Sequence, residues 1–276
     1  MVKRPKGSLL KELFLRYVKD EVGGLAAELA YFFLLALFPF LIFLITLIGY
    51  LPLSIDDILN VIREYAPGQS MEIIEMTLQQ ILNKQNSGLL SFGIIATLWS
   101  ASNGINAIVR AFNRAYEVKE NRSFIVARGT IILLTIAMIF VIIIALLLPV
   151  FGEEIGRFIF NAAGIPSMFM SVWNTVRWVL SGVIIFIVLT ALYYFGPNKK
   201  YHVKSALPGA FLATIAWVLV SSAFSFYVGH FGNFSATYGS IGGIIVLLVW
   251  FYLTGMIIII GGELNAILYK RNTEAS

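Results

Sequence analysis

Residues 131–150 read IILLTIAMIFVIIIALLLPV, twenty consecutive positions without a charged side chain. A helix rises about 1.5 Å per residue, so about 20 apolar residues reach across the hydrocarbon core of a bilayer. A run of this length with no polar interruption beyond one threonine predicts a membrane span. Working outward, five further apolar stretches reach comparable length, and the expected spans cover residues 25–51, 88–112, 129–151, 176–195, 206–228 and 241–268. The second is the least uniform, since Trp99-Ser100-Ala101-Ser102-Asn103-Gly104 brings small and polar residues into it. The expected fold is therefore all-α, a polytopic membrane bundle of six transmembrane helices forming one integral membrane domain over residues 1–276. Residues 1–24 are expected to hold a cytoplasmic amphipathic helix, residues 52–87 an external helical pair, and residues 152–175 an external segment.

Composition agrees. Apolar residues make up 59% of the chain and charged ones 13%, against about 25% charged in soluble domains. The absence of cysteine excludes disulfides, thiolate metal sites and cysteine nucleophiles. His202 and His230 lie far apart in the sequence, so no metal site and no cofactor is expected. The basic start, Lys3-Arg4-Pro5-Lys6, is not expected to open a cleaved signal peptide, because the apolar run that follows is too long and carries Glu28.

The positions of the 20 lysines and arginines predict orientation. Six precede the first span, five lie over residues 110–128, three over 199–204 and two in the tail; only Arg63, Lys84, Arg157 and Arg177 fall on the other side. Sixteen against four predicts cytoplasmic termini by the positive-inside rule. The net charge of +5 then reports insertion and contact with anionic lipid, and no nucleic-acid partner is expected.

Ionisable groups inside a membrane are costly, so each is a candidate site. Glu28 opens the first span and Glu263 lies in the last. In the second, Asn103, Asn106, Arg110 and Arg114 recur three to four residues apart and share one helix face. Arg110 and Arg114 are the expected partners of a buried Glu263, as a structural salt bridge or as part of a substrate or ion pathway that also includes Tyr31. Pro39 is an expected kink, and Gly239, Gly242 and Gly243 an expected hinge. Small residues Thr97, Ala101, Gly104 and Ala111 in the second span, and Ser221, Ser222 and Ser225 in the fifth, suit close helix packing. Residues 8–22 read as an amphipathic helix along the inner membrane face, with Leu9, Leu13 and Tyr17 opposed by Lys11, Glu12, Lys19 and Asp20.

Several of these positions fall within a recognisable series. Ala30-Tyr31 with Phe38-Pro39, Asn113-Arg114-Ala115-Tyr116, Pro208-Gly209-Ala210 with Trp217, Tyr238-Gly239-Ser240-Ile241-Gly242, Trp250, and Gly262-Glu263-Leu264-Asn265-Ala266 together resemble the YihY/BrkB (virulence factor BrkB) family. The likeness covers about residues 25–268. It implies a six-helix protein of the bacterial cytoplasmic membrane, in a family formerly labelled ribonuclease BN-like.

The sequence holds no phosphate-binding loop, HExxH or GxSxG, so no catalytic residue and no enzyme activity is expected. The expected function is a transporter or translocase, with a lipid or other amphiphile as cargo. The alternative is a non-transporting scaffold that binds lipid or a partner, and the third reading is the ribonuclease of the old label. Membrane lipids and a small-molecule or lipid substrate are the expected partners, and a homo-oligomer is left open.

Overall fold

The computed structural model describes residues 8–48, 87–140, 170–231 and 241–275. Among them the structure is helical throughout, with no strand. The helices are α1 (Leu9–Lys19), α2 (Val22–Ile48), α3 (Ser87–Ala115), α4 (Phe124–Phe140), α5 (Met170–Phe195), α6 (Leu207–Phe231) and α7 (Gly242–Ala275). Four of them, α2, α3, α6 and α7, are long and apolar enough among the described residues to cross a membrane. The apolar parts of α4 and α5, Phe124–Phe140 and Val179–Phe195, are shorter.

The boundaries differ from the expected ones for physical reasons. Helix α4 begins at Phe124, five residues before the expected span, because Ser123 accepts into the first turn, where the Ala127 amide bonds its carbonyl at 2.9 Å. Helix α5 begins at Met170, so the end of the segment expected to be external is helical. Helix α7 runs seven residues past its expected end, because the polar tail after Leu268 keeps helical pairing beyond the apolar run. Helix α2 is continuous through Pro39. Residues 52–86 of the external pair expected at 52–87, Gly239 and the second half of the third span lie outside the described residues.

The chain divides into two compact units, one of Met1–Tyr31 with Ser102–Ser276 and one of Phe32–Ala101. In the smaller unit, α2 and α3 approach closely at Gly93. A Cβ there would lie 2.9 Å from the backbone nitrogen of Phe43. Thr97, in the same unit, is buried and returns its hydroxyl to the Gly93 carbonyl at 2.6 Å.

In the larger unit α6 packs on both α5 and α7. The α6–α7 crossing is set by glycine: a Cβ on Gly209 would lie 2.1 Å from the Gly261 carbonyl oxygen, so the backbones meet with no room for a side chain. Asn265 stitches the same crossing by accepting from the Gly209 amide at 2.7 Å and donating to the Ala206 carbonyl at 3.1 Å. Further along, Trp250 donates to the Ser221 hydroxyl and Trp217 to that of Thr254. The close approach of the fifth span thus rests on Gly209; Ser222 and Ser225, expected to provide it, are exposed. A small apolar core of Val22, Ala26, Ala111 and Ile259 joins α2, α3 and α7. Phe211, Leu219, Leu133 and Val179 remain largely exposed on the outer faces, as helices surrounded by hydrocarbon require.

Candidate functional site

The sequence places α1 two residues ahead of α2, and the join is a turn of unusual chemistry. Asp20 closes α1 with its amide on the Arg16 carbonyl at 2.8 Å, and Glu21 takes a left-handed backbone, φ 55°. At the end of α3, Glu117 does the same with φ 54°. There the Val118 amide bonds the Asn113 carbonyl and the Glu117 amide that of Arg114, the paired bonds of a Schellman closure. Glycine suits such positions best, and an L-residue held there is strained. Both strained residues are acidic and both belong to one network of ion pairs.

That network surrounds α1. Arg16 reaches Glu263 Oε2 at 3.3 Å, and the same Nη1 donates to the Ala115 carbonyl at 2.8 Å. Arg271 on α7 grips Glu12 at 2.7 Å. Glu117 receives Lys19 at 3.5 Å and Lys270 at 3.7 Å. Arg114 binds Glu21 at 3.2 Å and the Asp20 carbonyl at 3.0 Å, and Arg110 pairs with Glu28. The cations beside Glu117, Lys270 foremost and then Lys19, hold its carboxyl below the ordinary value.

Glu263 differs from the rest. Only 1% of its side chain is accessible, against 12% for Arg16, and its Oε1 has no hydrogen-bond partner. The Tyr116 hydroxyl is likewise buried and unpartnered. Tyr116 stacks on Tyr201 at 5.2 Å and meets Tyr269 edge-on at 6.0 Å. Burial, then the neighbouring Tyr201, raises the Tyr116 phenol far above its ordinary value, and burial pushes Tyr201 up to about 12.

Beside this lies a second polar knot. Asn113 donates to Glu120 at 3.1 Å and accepts from the Asn198 amide at 2.7 Å. Arg122 binds Glu120 through two nitrogens, at 2.7 and 2.6 Å, and reaches the Phe195 and Gly196 carbonyls. It thereby covers the free carbonyls at the end of α5. The Arg122 hydrogen bonds lower the Glu120 carboxyl below its ordinary value.

The expected burial of Glu263 is found; its expected partners are not. Arg110 and Arg114 pair with Glu28 and Glu21, and the guanidinium at Glu263 comes from Arg16. Asn103 and Asn106 are half-buried, Arg110, Arg114 and Tyr31 exposed. Gly243 has open space around its Cα and Gly242 starts α7. Arg16 was missed because charges on an amphipathic helix are expected to face water. The signal was present: Glu12, Arg16 and Asp20 recur every four residues on one face. Among the described residues, no group of three or more histidines and acids could hold a metal ion.

The model of the family described as virulence factor BrkB matches residues 13–276. The chain belongs to that family. A relative called ribonuclease-like protein YfkH, from Bacillus subtilis strain 168, is 61% identical over 96% of both chains. Two called UPF0761 membrane protein are more distant. The Pseudoalteromonas atlantica protein is 26% identical over 96% of this chain and 87% of its own, and that of Vibrio parahaemolyticus is 29% identical over 95% and 82%. No solved structure matches. With its long apolar helices, this BrkB-family chain is a multi-pass bacterial membrane protein. Seven of the residues that carried the family likeness have structural work: Asn113 and Arg114 in the polar knots, Gly209 and Asn265 at the α6–α7 crossing, Trp217 and Trp250 further along it, Glu263 under α1.

Proposed function

We propose that this BrkB-family protein is a transporter or translocase of the bacterial cytoplasmic membrane, with six spans, cytoplasmic termini and a lipid or other amphiphile as cargo. The observation that carries this reading is Glu263: a buried carboxylate inside an Ile-rich helix, with one oxygen unpartnered and the other held by a helix outside the bundle. A purely structural salt bridge would gain most from satisfying both oxygens. A carboxylate left half-satisfied, beside the unpartnered Tyr116 hydroxyl, suits a group that exchanges partners during a cycle. Glu28, Arg110 and Arg114 form the neighbouring exposed ion pairs, Arg110 with Glu28 and Arg114 with Glu21, and are proposed as part of the same pathway.

A non-transporting scaffold is the second reading, favoured by the pairing of Arg110 and Arg114 with acids within the unit. The proposal assigns no enzymatic step to any residue, ribonuclease chemistry included. The deciding experiment reconstitutes the protein in vesicles with fluorescent phospholipid analogues and follows their movement between leaflets. Wild type is expected to accelerate the exchange, and folded Glu263→Gln to abolish it. Wild-type vesicles exchanging no faster than empty ones would favour the scaffold for such cargo.

A further inference from the structure

We infer that the outward face of α1 is a binding surface for the headgroups of anionic phospholipids. On a helix of 3.6 residues per turn, Leu10, Phe14, Val18, Lys11, Leu15 and Lys19 fall within one half of the circumference. All six are exposed. The other half holds Leu9, Glu12, Leu13, Arg16, Tyr17 and Asp20, each half-buried or buried. An amphipathic helix docked on a protein in water turns its apolar side in and its charges out. In α1 the acids Glu12 and Asp20 and the arginine turn inward, toward Arg271, Glu263 and the Ala115 carbonyl, while four large apolar side chains turn outward.

Both acids of that arc being on the protein side, the outward face carries two lysines and no acid, a charge of +2. Lys19 shares one contact with Glu117 at 3.5 Å, which leaves its other ammonium protons to a second acceptor. Position fixes the occupant: α1 ends at Lys19 and the first span begins at Val22. Its outward face therefore lies at the depth where acyl chains meet headgroups. Leu10, Phe14, Leu15 and Val18 reach the acyl boundary and the lysines meet phosphate at the rim. The inference rests on the chain being a membrane protein, and holds whether or not it transports.

The cysteine-free chain makes the test direct. Full-length protein carrying Phe14→Cys, labelled with a fluorophore, is placed in bilayers containing phosphatidylglycerol or phosphatidylcholine spin-labelled near the headgroup, at equal mole fraction. The phosphatidylglycerol analogue is expected to quench about fivefold more effectively. Lys11→Gln with Lys19→Gln should bring the ratio close to unity while both lipids still quench, and a label at Leu13→Cys, on the inward face, should be shielded from both. Equal quenching by the two lipids in the wild-type background would overturn the proposal, as would a ratio indifferent to loss of both lysines. Shielding of position 14 from both lipids would also overturn it, because another protein surface, such as a second copy, would then cover the face.

Discussion

At the scale of single residues, the pair that matters most joins two positions 247 apart in sequence, Arg16 and Glu263. Breaking a buried ion pair by removing one partner leaves the other uncompensated. Glu263→Gln is therefore expected to cost about 2 kcal/mol, reduced from the usual range because the carboxylate already lacks one partner. The double-mutant cycle distinguishes the structure from the simplest reading of the sequence. Combined with Arg16→Gln, the effects should fall short of additivity by about 1 kcal/mol or more; combined with Arg110→Gln they should add within about 0.5 kcal/mol. Unfolding in detergent micelles measures both, and strong coupling to Arg110 would mean that the pairing described is wrong. The sequence revealed that Glu263 was costly and buried, because charge within an apolar run is legible by itself. It could not reveal which arginine reached it. Depth along a span placed Arg110 and Arg114 at the right level, whereas Arg16 lies on a helix outside the spans, and only the docking of α1 brings it to Glu263.

At the scale of elements, helix existence was readable from apolar runs, but helix contacts depended on residues too small to stand out. Gly209 and Gly261 are two of 23 glycines in the chain, and nothing in their sequence marks them as the point where α6 and α7 touch. The serines at 221, 222 and 225 looked the better interface because small polar residues often glue membrane helices, yet only Ser221 meets a partner across the helices, Trp250. The structure makes a contrast that can be measured. Gly209→Ala drives a methyl group into the Gly261 carbonyl oxygen and the Asn265 amide, 2.1 and 2.5 Å away. Neither can move without parting the helices, so a loss of roughly 1–3 kcal/mol is expected. Gly182→Ala, in the middle of α5 with nothing within 4 Å, should be neutral or stabilising by up to about 1 kcal/mol, since alanine is the better helix former. Thermal unfolding of the two variants side by side gives the comparison. Equal effects would mean that the α6–α7 crossing is looser than its backbone geometry states.

At the scale of the whole molecule, the polar knots bear on topology in a way that charge counting alone could not. Within the larger unit, α1 binds the end of α3 through Lys19 and Glu117 and the tail through Glu12 and Arg271. The end of α3 and the connection after it bind the connection after α5, through Asn113 and the Lys119 carbonyl, which both meet Asn198. Segments in direct contact outside the bilayer share a side of it, so an even number of crossings must separate each from the next. In the proposed six-span arrangement α2 and α3, long and apolar enough to cross, supply one pair, and α6 and α7 another. The pair α4 and α5 then either crosses twice or turns back within the membrane, and the short apolar lengths of the described parts make that pair the one to test. Two crossings are expected, because residues 131–150 are uncharged over the full thickness of a bilayer and the basic residues gather on the side of the knots. Single cysteines at Asn121, Lys200, Gln69 and Ser167 can be labelled with an impermeant maleimide on intact cells. Six spans with inside termini require labelling at Gln69 and Ser167, and none at Asn121 or Lys200 until the membrane is opened. Labelling at Gln69 with Ser167 reached from neither side would mean that α4 and α5 form a re-entrant hairpin. Labelling at Asn121 with protection at Gln69 would invert the orientation, and would put the lysine-bearing face of α1 against the outer leaflet.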